Sequence, residues 1–457
     1  MKLCSFLLAL AIAVAAGAKD NLPANFYMTN LNNGLQVLVI EDNSVPLATI
    51  EIVVKNGAYT ETPEYDGLSH LYEHMFFKAN KELPSQEAFM KRVNELGIVF
   101  NGTTSNERVN YFITLNTAKV KEGLQFMNDA IRYPLFLQEE MIKENPVVDA
   151  EFQRAESNPV FFLQKDFQRA MWGDLFSRKN TIGDHDIIMT ATPEKMRIIQ
   201  EKYYYPNNSM IVVAGDVKHE TIFKHIETLF GSWQPSDFDP FEKWPIPEFE
   251  PLKENKYFVT ENSNTRVPII MLGWHGPDTR SDIQATYAAD VFSTILAQKS
   301  SKLQQELVDA GLALSVSKSY QTCKYTGPVS MFFVPNPAKV KEAYEKLFEH
   351  INQWDAENYF TDEQLETAKY SLIINDAYAK EKTSEYVHTV TYWWASATIN
   401  YYTQYADNIK KVTREDIKQY VLKYIKNKPY TAGILVNEKM KEMLGITSED
   451  YLKSLKN

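Results

Sequence analysis

Three segments in the first half carry strand periodicity. Residues 34–42 (GLQVLVIED), 48–57 (ATIEIVVKNG) and 110–116 (NYFITLN) are short apolar or alternating runs closed by Gly, Asn or Asp. That is the pattern of half-buried or fully buried strands. Residues 85–97 (SQEAFMKRVNELG) instead repeat apolar positions at helical spacing, with Ser85 placed to cap the start and Gly97 to end it. The second half repeats the mixture. Residues 282–296, 337–354 and 361–379 predict helices, the last opened by a capping box of Thr361 and Gln364. Residues 267–274, 312–320 and 327–334 predict strands. The fold class is α+β.

The segment from Trp233 to Leu252 holds Pro235, Pro240, Pro245, Pro247 and Pro251. Prolines at that density exclude a helix interior and a central strand, so the segment predicts a semi-rigid linker. It divides the chain into a domain at 19–234, a linker at 235–251 and a domain at 252–457. The two domains share a local pattern. Thr192 and Thr413 each sit at an N-cap position before an amphipathic helix, a Tyr eleven residues on (Tyr203, Tyr424) and an apolar strand. The two copies lie 221 residues apart, which points to an internal duplication.

The first residues change the picture of where the protein works. Lys2, an apolar run from Leu3 to Val14 and the small residues Ala16, Gly17 and Ala18 make a secretory signal peptide at 1–18, too short to span a bilayer. No later segment reaches spanning length, so no membrane span is expected. Localisation is therefore periplasmic or secreted. Loss of Lys2 moves the net charge from −11 to −12, which disfavours nucleic acid and anionic membranes as partners. Cys323 is the one cysteine left, so neither an internal disulfide nor a thiolate metal site can form.

The candidate chemistry lies in His70-Leu71-Tyr72-Glu73-His74. Residues four apart share a helix face, so both imidazoles can reach one metal ion. Glu73 projects from the same side and can take a proton from a water made acidic by that metal. A catalytic zinc site also needs a third protein ligand and an open position. Leu71, Met75, Phe76 and Phe77 predict that the opposite face is buried. His185, His219, His225, His275, His350 and His388 show no ligand spacing and predict surface or packing roles.

HxxEH resembles the signature of the pitrilysin-like (insulinase-type, inverzincin) zinc metallopeptidases. The likeness is to the short two-domain members, such as the beta subunits of mitochondrial processing peptidases and bacterial zinc-motif subunits. Further stretches look like family landmarks, among them NGAYTETPEYDGLSH, IGDHDIIMTAT and YYYPNNSMIVVAGD. The resemblance implies two homologous domains, each a mostly antiparallel sheet with packed helices, arranged as a clamshell. It implies Zn2+ as cofactor, with Glu151, 77 residues after His74, as the third ligand beside His70 and His74. Glu144 would support the catalytic site from nearby. Pro146 lies between the two glutamates and is expected to kink the helix or to start it near Asn145. A peptide substrate would add as a strand to the edge supplied by NGTTSNERVNYFI, with Asn101 to Ser105 as backbone contacts.

The second domain departs from the family. Active members carry an Arg and a Tyr seven residues apart that bind the substrate carbonyl. The matching text ELVDAGLALSVS places Leu307 and Leu314 at those positions. The expectation is a zinc endopeptidase subunit, with Glu73 activating water, that works with a homologous subunit carrying Arg and Tyr. A heterodimer is expected ahead of a homodimer. The alternative is a non-catalytic assembly or peptide-binding subunit that keeps the fold.

Overall fold

A computed structural model describes residues 22–173 and 180–456. The signal peptide at 1–18 lies outside the described residues. The predicted strands pair into two sheets. Strands β1 (Phe26–Asn30), β2 (Gln36–Glu41), β3 (Leu47–Val54), β4 (Val99–Thr104), β5 (Val109–Asn116) and β6 (Ser209–Gly215) form the first, in the order β1-β2-β6-β3-β5-β4. Strands β7 (Lys256–Glu261), β8 (Ile269–His275), β9 (Ala313–Tyr320), β10 (Pro328–Pro335) and β11 (Thr431–Val436) form the second, in the order β7-β11-β8-β10-β9. Each sheet has one parallel pair, β2 with β6 and β7 with β11; all other pairs are antiparallel.

The duplication is therefore topological. The last strand of each half returns between the first two strands of a shared five-strand core. The 221-residue offset superposes Ile211 of β6 on Ala432 of β11. From these two residues, matching rows cross the sheets. One runs Ile211, Ile52, Tyr111, Gly102; the other runs Ala432, Leu272, Met331, Lys318. The chain forms two homologous α+β domains arranged as a clamshell.

The two halves also exchange a helix. The helix Pro159–Trp172 belongs to the first half but packs on β7, β8 and β11. Its Leu163, Phe167 and Met171 join Met271 and Leu435 in one apolar cluster. Conversely, the helix Thr383–Ser396 covers β3 and β6 of the first sheet, where Val387, Val390 and Trp394 meet Val53, Met210 and Val212. This covered face holds a charge. Glu51, fully buried in β3, faces His388 and Thr391 of the exchanged helix and also accepts from Asn110 (2.9 Å) and Arg108 (3.5 Å). Several donors around one carboxylate are what make a buried charge tolerable.

Local predictions hold at most ends. Ser85 accepts from the Ala88 N–H, Gly97 adopts φ 64°, and the Thr361–Gln364 capping box is present. Thr192 differs: no backbone N–H bonds to its hydroxyl, and Pro193 opens that helix, whereas Thr413 forms a capping box with Asp416. The helix does not start at Pro146: Gln138–Glu156 runs through it, so Glu144 and Glu151 belong to one helix. Pro146 and Ile142 face solvent, where water can hydrate the carbonyl that the proline leaves without a donor. The proline-rich segment is packed rather than free, with Ile246 and Phe249 buried against Trp172 and Leu435. No helix among the described residues is long and apolar enough to cross a membrane.

Candidate metal centre

The motif helix, Leu68–Phe76, buries Leu68, Leu71, Tyr72, Met75 and Phe76. That i, i+3, i+4, i+7 stripe fixes its roll and turns His70, Glu73 and His74 the other way. Its N-terminus starts at Gly67, with φ 86° and no side-chain cap. Glu61 replaces the cap: its carboxylate accepts the Gly67 N–H at 2.9 Å and the Ser69 N–H at 2.8 Å. Burial pushes Glu61 up to about 8, against the pull of these two N–H groups.

The helix Gln138–Glu156 lies alongside and presents Glu151 and Glu144. His70 Nε2 is 3.7 Å from Glu151 Oε2, and His74 Nε2 is 3.8 Å from Glu151 Oε1. One ligand atom from each of the three lies within 4.8 Å of the others. A tetrahedral zinc with bonds of ~2.0–2.1 Å needs donors roughly 3.3–3.5 Å apart, and the two histidine–glutamate distances lie within a few tenths of an ångström of that spacing. Two imidazoles and one carboxylate are a donor set that leaves a fourth position open. The residues fit the metal. The other group of this kind among the described residues, Glu41, His219 and Glu220, fits less well. Glu41 already accepts from the backbone and ring N–H of His219 and from Lys218.

Burial, with His74 close by, pushes His70 down to about 4, so its imidazole is neutral and free to ligate. Its Nδ1 is buried without an acceptor among the described residues. His74 differs. Burial opposes its protonation, but the bond to Glu144 and the surrounding carboxylates outweigh burial and raise its pKa. Glu144 Oε1 lies 2.8 Å from His74 Nδ1, and its Oε2 accepts from Lys78 Nζ at 2.6 Å. Burial disfavours the Glu144 anion, yet these two partners overcome it and hold its pKa down. Glu144 thus orients one imidazole, as a carboxylate behind a ligating histidine does. Lys78, nine-tenths buried, balances its charge. Lys78 was not foreseen; the available signal was a lysine four residues beyond His74.

Glu73 is buried, which raises its pKa, and Thr104 Oγ1 donates to its Oε2 at 2.6 Å. Thr104 sits on β4, the edge strand, which passes directly over the carboxylate. A Cβ at Gly102 would fall 2.6 Å from Glu73 Cγ and 2.9 Å from Oε1, so any side chain there would displace the Glu73 carboxylate. Asn101, Gly102, Thr103 and Thr104 line an open cavity of about 450 Å³ together with His70, His74, Glu151, Glu73 and Glu144. Ser105 instead closes the turn to Arg108.

The second domain shows how the same framework closes. Lys318 occupies the row position of Gly102. The helix Ile283–Ala297 follows β8 and packs on β9, as the motif helix follows β3 and packs on β4. Lys318 sends its ammonium against that helix, donating to Ser293 Oγ at 2.8 Å and Ala289 O at 3.2 Å, beside half-buried Asp290. A side chain fills the space that Gly102 leaves for a carboxylate in the first domain. Leu307 is fully buried and Leu314 is exposed on β9, and neither can donate a hydrogen bond.

Among the remaining histidines, His275 Nε2 donates to Met171 O and its ring stacks on Trp172, His350 meets Tyr359, and His219 stacks on Tyr27. His185 lies between Asp149 and Glu156 of the Glu151 helix.

The family model for insulinase, peptidase family M16, matches residues 36–184, and that for the peptidase M16 inactive domain matches 190–372. An uncharacterized zinc protease of Rickettsia felis is 25% identical over 362 residues, covering 79% of this chain and 85% of its own. The zinc protease PqqE of Helicobacter pylori is 28% identical over 351 residues, covering 75% and 77%. A crystal structure of a protease from Helicobacter pylori superposes with a TM-score of 0.80 at 22% identity, over 90% of this chain and 99% of that one. The first half of the periplasmic protease PqqL from Escherichia coli gives 0.72 at 17%, over 95% and 96%.

Proposed function

The chain belongs to the insulinase, or M16, peptidase family, and on that premise we propose that it is a zinc-dependent endopeptidase subunit acting on extended peptides. The observation that carries this reading is the convergence of His70, His74 and Glu151 beneath an open sheet edge, with Glu73 beside them. Zinc held by those three would supply Lewis acidity, making water more acidic and polarising the scissile carbonyl. A peptide laid along β4 would take up the free backbone groups of that edge. Glu73 Oε2 is occupied by Thr104, so Oε1 is the oxygen that takes the proton of the attacking water. As the water oxygen bonds to the carbonyl carbon and the C–N bond breaks, Glu73 returns that proton to the leaving amine. Burial raises the affinity of Glu73 for the proton it must hold in between.

The oxyanion needs donors that Leu307 and Leu314 cannot provide, and losing one such donor typically costs about 10²–10³ in rate. A homologous subunit that carries Arg and Tyr at those positions would complete the site. The leader expected at 1–18 and the structural neighbour named as a periplasmic protease are what favour a periplasmic or secreted setting. The loss of the Arg and Tyr pair also supports a second reading, a non-catalytic assembly or peptide-binding subunit. Hydrolysis of a quenched fluorescent peptide library by the zinc-loaded mature chain, with Glu73→Gln as control, separates these. Turnover that the control lacks establishes a peptidase. Turnover absent from the folded zinc-loaded chain, and still absent after an Arg/Tyr homologue is added, rejects it.

A further inference from the structure

We propose that His185 is a positioning residue for the metal site, a pin that fixes the turn of helix bearing Glu151; the inference rests on the zinc reading above. Asp149, Phe152 and Glu156 occupy one face of the helix Gln138–Glu156 at i, i+3 and i+7. His185 lies across that face. Its Nδ1 contacts Asp149 Oδ1, its Nε2 lies 3.1 Å from Glu156 Oε2, and its ring packs 3.9 Å from the Phe152 ring centre. Both ring nitrogens face carboxylate oxygens, so both carry hydrogen and each donates to one acid. The contact with Asp149, helped by Glu156, accordingly raises the His185 pKa. The two acids bracket Glu151 in sequence, Asp149 two residues before it and Glu156 five residues after it.

The segment that carries His185 is itself tied to the motif helix. A Cβ on Gly183 would fall 2.3 Å from the Gly67 Cα, so the two glycine backbones touch where the motif helix begins. Asp184 then caps the short helix His185–Met189 through the Asp186 and Ile187 N–H groups. Further on, Asn145 Nδ2 donates to Ala191 O at 3.3 Å, a second tie to the Glu151 helix. Residues 183–191 therefore bracket the two helices that supply the ligands. Glu151 needs such a bracket. Its side chain is about half exposed (48%), and the two histidines, 3.7 and 3.8 Å away, are the ion-pair partners found for it among the described residues. Its position is set by its own backbone, and His185 is the charged group that sets that backbone on both sides of it.

The test compares the mature chain with His185→Ala and His185→Arg, the latter able to donate to both acids. Zinc affinity is read by competition with a chromophoric chelator, ligand geometry by the visible spectrum of the Co2+-loaded chain, and helix mobility by amide exchange of residues 147–156 without metal. His185→Ala is expected to weaken zinc binding about 10–100-fold, the usual cost of losing an outer support, with an altered Co2+ spectrum and faster exchange. His185→Arg is expected to recover most of the affinity. Faster exchange in His185→Ala with zinc affinity within twofold of the parent and an unchanged spectrum would overturn the proposal, leaving His185 a packing residue. A parent chain that binds no zinc would overturn the peptidase reading instead, and the exchange rates alone would then decide whether His185 holds the helix.

Discussion

Replacing Glu144 separates two jobs that the structure gives to one carboxylate. Its Oε1 holds His74 Nδ1 and its Oε2 neutralises Lys78, and both acid and lysine are about nine-tenths buried. Glu144→Leu would leave a buried ammonium without a partner, at a cost of about 3–5 kcal/mol of folding stability. It would also free the His74 ring, for which about 10–100-fold in zinc affinity is expected. Glu144→Leu combined with Lys78→Met replaces the ion pair by apolar groups of similar volume, a change that is often neutral or stabilising. The double variant should therefore regain most of the lost stability while its zinc affinity stays low. Urea unfolding in the presence of a chelator measures the first quantity free of metal, and competition against a chromophoric chelator measures the second. If the double variant regains zinc affinity along with stability, Glu144 does not orient His74 and its role is charge balance for Lys78. If Glu144→Leu loses no stability, the buried pair is not an ion pair in solution.

Three other outcomes are expected. Gly102→Ala drives a methyl group to 2.6 Å from Glu73 Cγ; a shift of about 1 Å in the base should cost on the order of 10²-fold in peptide turnover, with zinc content unchanged by metal analysis. Lys318, held down to about 7 by burial, loses its proton in the folded state before it does in the unfolded chain. From this group stability should rise with pH between about 7 and 10, because the unfolded chain then holds more protons. Unfolding of Lys318→Met between pH 7 and 9 should lack that rise. Glu51→Leu leaves Arg108 buried beneath the exchanged helix without its acid, at a cost of about 3–5 kcal/mol in urea unfolding; coupling to the domain contact would appear as faster amide exchange in residues 383–396.

The parts of this protein that depend on neighbours in sequence were legible in it. Alternation and helical spacing located β2, β3, β5, β8, β9 and β10, because each strand or helix buries one face and its residues must repeat with its geometry. The i, i+3, i+4 spacing of His70, Glu73 and His74 put all three on one helix face for the same reason. The 221-residue offset disclosed the duplication and, carried across the ladders, its register. Residues joined only by folding were out of reach. Pro146 predicts a kink or a helix start, since sequence shows the missing N–H but not the solvent that can hydrate the opposing carbonyl. The exchange of helices 159–172 and 383–396 follows from which sheet face is left bare, a property of two assembled domains. Lys78, Thr104 and Gly102 acquire their meaning from Glu144 and Glu73, and His185 from Asp149 and Glu156, partners between 29 and 66 residues away. The sequence by itself determined the local geometry of the ligands and the doubled framework. Tertiary structure decided which half keeps an open site: packing places glycine over Glu73 in one sheet and lysine at the matching position in the other, and a side chain can fill a cavity only once the row across the sheet exists.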